Sequence, residues 1–260
     1  WQFGKTDHNL LVVSVQLGDT AIPVAWKALN KAGNSNANER IALMRKVLRF
    51  LPQDKIKGLL ADREFIGQQW LSWLIEREIP FVTRLRHNMF ATLHDGARAK
   101  VGELFSLVQK GTASARIPAT LKGDVKIMLQ AKRTAKGLVI VACYGLPVKE
   151  AEPVNLYRKR WLIECAFACL KRKGFELEDT HLKDPKRIET LVGVVAIAYV
   201  WCFVVGTTQN QPTRKNHGYP ANNLFTLGKY ALIAMLNDTE KIMKSIHYLF
   251  NITDVKETVV

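Results

Sequence analysis

Residues 157–171 read YRKRWLIECAFACLK, the stretch that is most informative about the fold. From residue 161 to residue 170, Glu164 is the only charged residue. A helix that is apolar on nearly every side is usually buried, and a carboxylate inside it is costly unless another group compensates the charge. The pattern therefore predicts a long buried helix over residues 149–173, ended at Gly174, in which Glu164 has a partner.

The polar residues of this predicted helix share one side of it. At about 100° per residue, Tyr157, Arg160, Glu164 and Lys171 fall within about 60° of arc. One interpretation is an ordinary solvated face on which Arg160 and Glu164, four positions apart, form a local ion pair. That interpretation leaves unexplained why the rest of the helix lacks water-facing residues, so a functional role stays open beside it.

The same four residues match, at every spacing, the YREK signature of IS4-family transposases, which the chain resembles. Two further stretches agree with the family pattern. Residues 61–65, ADREF, resemble the segment at the family's second catalytic Asp, and residues 1–26 resemble its first hairpin. The resemblance covers essentially the whole chain.

The resemblance implies an α/β fold of the RNase H-like, retroviral-integrase-like type. A mixed sheet is flanked by helices, and a β-rich insertion, here about residues 80–146, precedes the last catalytic helix. Residues 1–260 then form a single catalytic domain, truncated at its amino end. The family's first catalytic Asp would lie upstream of Trp1, and neither Asp7 nor Asp19 is assigned to that role.

The resemblance also implies the site. Asp62 and Glu164 would be two carboxylates of a DDE triad and would hold two Mg²⁺ ions about 3.5–4 Å apart, with Mn²⁺ able to substitute. Their carboxylates would approach within about 4–8 Å, with Asp62 at the end of a central strand. Tyr157, Arg160 and Lys171 would contact DNA phosphates near the cleaved end. Taken alone, an Asp in the place of Asp62 is more often a helix cap.

The charge of the chain favours a nucleic-acid partner. Its 260 residues include 38 Lys plus Arg and 23 Asp plus Glu, a net charge of +15. Such an excess suits a partner whose phosphates release counterions when they are neutralised. With the resemblance, the expected partners are double-stranded DNA, at transposon ends and in the target, and further copies of the chain in a homodimer or larger assembly.

No membrane partner is expected. The apolar run at residues 191–205 is about 15 residues long, shorter than the roughly 18–20 that span a bilayer, and fits a buried helix. Four cysteines, Cys143, Cys165, Cys169 and Cys202, form no Cys-x-x-Cys pair and are predicted to be small core residues in a reducing compartment. The expected location is the bacterial cytoplasm, at the nucleoid.

Three functions follow as alternatives. The first is a transposase that cuts DNA and transfers the strand. The second is an inactive DNA-binding remnant that lacks the first catalytic Asp. Without that Asp, this exact chain is expected to bind DNA but not to cut it with Mg²⁺ or Mn²⁺. The third is an RNase H-like nuclease that cuts without strand transfer.

Turn residues and periodicity predict the remaining elements. The predicted strands are 10–17, 20–26, 56–61, 81–86, 115–121, 124–131 and 138–144. The other predicted helices are 37–51, 66–78, 185–205 and 223–247, with a polar loop at 207–222.

Overall fold

The computed structural model describes residues 2–3, 6–7, 9–147, 152–171, 174–180, 182–209 and 223–250. The chain divides into two compact units. The first comprises residues 1–32 and 162–260, and the second comprises residues 33–161. The single domain expected over residues 1–260 stays a prediction.

Strands and short or medium-length helices alternate along the chain. The strands are β1 (Gln2–Phe3), β2 (Thr6–Asp7), β3 (Asn9–Leu17), β4 (Thr20–Leu29), β5 (Leu59–Ala61), β6 (Phe81–Arg84), β7 (Phe90–Leu93), β8 (Arg98–Lys100), β9 (Ile117–Leu121), β10 (Val125–Thr134) and β11 (Gly137–Tyr144). The helices are α1 (Ala37–Val47), α2 (Gln68–Glu76), α3 (Val101–Leu104), α4 (Pro153–Tyr157), α5 (Trp161–Lys171), α6 (Pro185–Thr208), α7 (Leu224–Met235) and α8 (Thr239–Phe250).

The first unit contains the predicted hairpin. β3 and β4 are antiparallel and are joined by a tight turn in which Gly18 has a φ of 55°, a conformation that glycine adopts at little cost. The hairpin is bonded to α6. Glu189 accepts from the Ala28 amide at 2.9 Å and pairs with Lys27 at 3.0 Å, and its carbonyl oxygen accepts from the Trp26 indole at 2.9 Å.

α6 supplies the core of the first unit. By length and composition alone this helix is apolar enough to cross a membrane, but half of its most apolar 18-residue window is buried in the protein. It packs against β4 and α7, and its buried residues share one cluster with residues of α5 and α7. The predicted helix over 185–205 is therefore confirmed, as a core helix of this unit.

The predicted single helix over 223–247 is wrong. The structure has two helices there, α7 and α8, separated by residues 236–238. The break follows from Asp238, whose Oδ1 accepts from the Lys241 amide at 3.1 Å and so caps the start of α8. The rest of the predicted polar loop, from residue 210 to residue 222, lies outside the described residues.

The long helix predicted over 149–173 is divided. It begins at Pro153 with α4, passes through a 3₁₀ turn at Arg158–Arg160 and continues as α5 to Lys171. Residues 149–151 and 172–173 lie outside the described residues. A Cβ at Gly174 would collide with the Cys169 carbonyl oxygen, which fits the predicted role of this glycine at the helix end.

α5 is not buried on all sides, contrary to expectation. Its buried residues are Ala166, Cys169 and Leu170, whereas Trp161 is 60% exposed. Cys165 follows Trp161 by one turn and is exposed as well, so it is not a core cysteine. The other three, Cys143, Cys169 and Cys202, are buried as predicted.

The second unit is built on a seven-stranded mixed sheet. Its order is β5-β6-β11-β10-β9-β7-β8, in which β5 and β6 are parallel and all the other pairs are antiparallel. The strands predicted between residues 80 and 146 correspond to β6, β9, β10 and β11, and they share this sheet with β5. The strands β7 and β8 and the helix α3 were not predicted.

Three other elements are shorter than the sequence predicts. The helix predicted over 37–51 ends at Val47, and residues 48–50 form a turn before Pro52. The helix predicted over 66–78 is α2, and the strand predicted over 56–61 is the three-residue β5. The overall class, α/β with a mixed sheet and helices, agrees with the expectation.

Candidate active site

Asp62 lies where the sequence placed it, directly after β5 and before a helical turn. Its Oδ1 accepts from the Arg63 amide at 2.7 Å, so it caps the 3₁₀ turn Arg63–Phe65. The Thr83 hydroxyl, on the neighbouring strand β6, donates to the Asp62 carbonyl oxygen at 3.3 Å. β5 is an edge strand of its sheet in the described structure, whereas a central strand was expected.

Tyr157, near the end of the second unit's sequence, contacts Asp62. Its hydroxyl donates to Asp62 Oδ1 at 3.2 Å across 95 positions of the chain. The ring is buried with Val82, Val141 and Val154. Burial is the main reason that the pKa of Tyr157 is raised to about 12; Arg160 opposes the rise and the Asp62 carboxylate adds to it. The phenol is therefore held neutral and able to donate.

α4 carries Tyr157, and the sheet caps the start of this helix. The buried Gln130 of β10 accepts from the Val154 amide at 3.2 Å through its side-chain oxygen. Its side-chain nitrogen donates to the Ser114 carbonyl oxygen at 3.1 Å. Because the first amides of a helix lack partners within the helix, this side chain stabilises α4 one turn before Tyr157.

Arg160 completes a three-residue cluster. Its Nη1 lies 3.9 Å from Asp62 Oδ2, and its guanidinium carbon lies 5.6 Å from the centre of the Tyr157 ring. The Asp62 side chain is 39% exposed and that of Arg160 is 21% exposed, so water partly screens this ion pair. The structure thus brings together Asp62, Tyr157 and Arg160: a carboxylate, a phenol and a guanidinium at the end of one strand.

Glu164 and Lys171 belong to α5 in the first unit, and both are partly exposed. Asp62 belongs to the second unit. The approach of the Glu164 carboxylate to Asp62 therefore stays a prediction, as does the contact of Lys171 with a phosphate.

The donor chemistry of the carboxylates suits magnesium. Mg²⁺ prefers oxygen ligands, and the Asp62 carboxylate is accessible enough for an ion to reach it. No group of three or more His, Cys, Asp or Glu that could hold a metal ion occurs among the residues described. Asp62 thus fits as one ligand of a metal centre. The described residues of the second unit do not place three such ligands together around it.

Two buried polar residues beside Asp62 were missed in the sequence. Thr83 is 1% exposed and Arg40, on α1, is 7% exposed. A charged residue at a core position of an amphipathic helix was a usable signal for Arg40, since Ile41, Leu43 and Met44 surround it in the sequence. Thr83 gave no signal, because a threonine is ordinary in a strand.

The chain matches the model of one protein family. A family model described as transposase DDE domain matches residues 13–201, which is most of the chain. The match includes Asp62, Tyr157, Arg160, Glu164 and Lys171. No curated protein matches the chain.

Proposed function

The chain belongs to the transposase DDE domain family, and we propose that it cuts DNA at the ends of a transposon and joins those ends to target DNA. The family is one of nucleases and strand transferases that act on DNA and generally use divalent metal ions. Within it, the spacing of Tyr157, Arg160, Glu164 and Lys171 supports an IS4-type member with an RNase H-like catalytic fold.

One observation supports the assignment of particular residues to this function. Tyr157 and Arg160, the first two residues of the YREK spacing, both contact Asp62, the residue proposed as the family's second carboxylate. Neither contact is local in the sequence, and 95 positions separate Tyr157 from Asp62. A solvated helix face would not need these residues to converge on an Asp at the end of a strand.

We assign Asp62 and Glu164 as metal ligands for two Mg²⁺ ions, which Mn²⁺ can replace. Bound there, the metals would activate the attacking oxygen and stabilise the leaving one. Tyr157 orients the Asp62 carboxylate by donating to Oδ1. Tyr157, Arg160 and Lys171 contact DNA phosphates near the cleaved end, Arg160 with two parallel donors and Lys171 as a point charge.

The net charge of +15 supports double-stranded DNA as the partner. We also propose a dimeric or larger assembly at the bacterial nucleoid.

The test separates three functions. The protein, extended upstream of Trp1 to carry the family's first Asp, is incubated with supercoiled plasmid in Mg²⁺, in Mn²⁺ and in EDTA. A labelled duplex that carries the transposon's terminal sequence and a free 3′-hydroxyl is included. A transposase nicks DNA only with metal and links the label to plasmid. Nicking without linkage would indicate a nuclease, and binding without nicking in either metal would indicate an inactive DNA-binding remnant.

A further inference from the structure

A buried cation lies beside the turn that follows Asp62. Arg40 is on the buried face of α1 with Leu43, Met44 and Val47. Placing a guanidinium there is costly unless its donors are satisfied. Burial accordingly lowers the pKa of Arg40, an effect that Glu64 and Glu39 oppose, but arginine remains charged in proteins.

The donors of Arg40 reach two separate segments. Nε donates to the Ser35 hydroxyl at 2.8 Å, and Nη2 donates to the Ser35 carbonyl oxygen just before α1. Nη2 also donates to the Glu64 carbonyl oxygen at 3.1 Å. The guanidinium stacks on Phe65, with its carbon 4.8 Å from the ring centre. One side chain thus fastens the 3₁₀ turn to the start of α1.

Two hydrogen bonds join that turn to Asp62. The Arg63 amide donates to Asp62 Oδ1 at 2.7 Å and the Phe65 amide donates to the Asp62 carbonyl oxygen at 2.9 Å. β5, which leads into the turn, has three residues and pairs with β6 on one side. A strand this short at a sheet edge gives the residue after it limited support, so side-chain anchors matter here.

We infer that Arg40 is a positioning residue for Asp62, which it holds in place through the Glu64 carbonyl oxygen and the Phe65 ring. The inference rests on the proposed role of Asp62 in cleavage. Lysine could not replace Arg40, because a single ammonium lacks the planar fork that reaches Ser35 and Glu64 together and stacks on Phe65.

The variants for the test are Arg40→Lys, which keeps the charge, and Arg40→Met, which removes the donors. Val47→Ala is the control. Val47 lies two turns further along the same buried face of α1, and the contacts that fasten the turn are made by Arg40. Hydrogen exchange of the Arg63 and Phe65 amides is measured in metal-free protein, at temperatures where each variant is equally far below its melting point. We expect exchange about tenfold faster in both Arg40 variants and unchanged in the control.

The second readout is the rate of plasmid nicking in Mn²⁺ as a function of plasmid concentration, measured in a chain extended upstream of Trp1 to carry the family's first Asp. We expect kcat to fall about tenfold or more in Arg40→Lys with the half-saturating DNA concentration unchanged, because a displaced Asp62 impairs the reaction and not DNA binding. Unchanged amide exchange, or faster exchange with a wild-type kcat, would overturn the inference. A wild-type protein that does not nick would contradict the proposed function alone, and the exchange rates would still decide whether Arg40 holds Asp62.

Discussion

Tyr157 provides the clearest pH-dependent signature at the scale of single residues. Burial is the main reason that the pKa of this phenol is raised to about 12, above the ordinary value near 10. A group with a raised pKa contributes stability below its unfolded pKa, and that contribution is lost as the pH rises through the folded pKa. The window for Tyr157 is therefore from about pH 10 to about pH 12.

We predict that Tyr157→Phe alters the alkaline titration of the protein's tyrosines only near pH 12. In metal-free protein, the rise in absorbance at 295 nm should coincide for wild type and variant through the ordinary tyrosine range near pH 10. The wild type should then gain one further phenolate near pH 12, and its urea midpoint should fall more steeply than that of the variant between about pH 10 and about pH 12. A difference between the two curves that titrates near pH 10 would show that Tyr157 is not buried against Asp62.

Lys171 and Arg160 make a second prediction at this scale. If each neutralises a DNA phosphate, changing either to Ala should weaken binding to every duplex and lower the salt slope of log affinity by about one. Lys136→Ala is the control, because this exposed lysine lies in the turn between β10 and β11, outside the proposed site. If Arg160→Ala lowers the melting temperature but leaves the salt slope unchanged, the result would favour a purely structural role for Arg160 in the pair with Asp62.

At the scale of elements, α4 depends on a cap supplied by the sheet. Glu152, at the start of α4, makes no capping bond with its side chain, and Gln130 of β10 accepts from the Val154 amide instead. Gln130 is 4% exposed, so removing its amide group leaves the Val154 amide and the Ser114 carbonyl oxygen without this partner. The sheet therefore fixes where the helix with Tyr157 begins.

We predict that Gln130→Leu destabilises the protein by about 1–3 kcal/mol, the range for a buried polar group that loses its partner. Urea denaturation measures the change. Gln130→Glu is the matched variant: it keeps an acceptor for Val154 but buries a carboxylate that faces the Ser114 carbonyl oxygen. It should cost at least as much as Gln130→Leu. Equal stability of wild type and Gln130→Leu would show that the cap contributes nothing.

The elements that the sequence predicted well are those with a strong local pattern. The β3–β4 hairpin, β10, β11 and α6 all follow from alternation, turn glycines or long apolar runs. The break at Asp238 was missed although Asp is a good N-cap, because the apolar pattern continues on both sides of it.

The site was predictable only in part, for a related reason. Spacing placed Tyr157 and Arg160 on one side of a helix, and the strand end placed Asp62. No local pattern could show that the phenol and the guanidinium turn to Asp62, since these contacts join distant parts of the chain. Arg40 and Gln130 act through main-chain atoms of other elements, so only the folded structure shows what they hold.

At the scale of the whole molecule, the excess of positive charge governs how DNA is found. A net charge of +15 predicts binding to any duplex, with log affinity falling linearly with log salt concentration. If six or more phosphates are neutralised, affinity should fall about 10³-fold or more between 50 and 200 mM salt. Fluorescence anisotropy with an arbitrary labelled duplex measures this, and affinity that is insensitive to salt would contradict an electrostatic mode of binding.

The most direct test of the account is metal-dependent nicking of supercoiled plasmid by wild type, Asp62→Asn and Glu164→Gln, with DNA affinity measured in parallel. Asp54→Asn is the control, since Asp54 is an exposed aspartate outside the site. In a chain extended upstream of Trp1 to carry the family's first Asp, we expect the otherwise unchanged protein and Asp54→Asn to nick in Mg²⁺ or Mn²⁺. Asp62→Asn and Glu164→Gln should bind DNA with nearly unchanged affinity and should not nick. Nicking by Asp62→Asn at the wild-type rate would contradict the account.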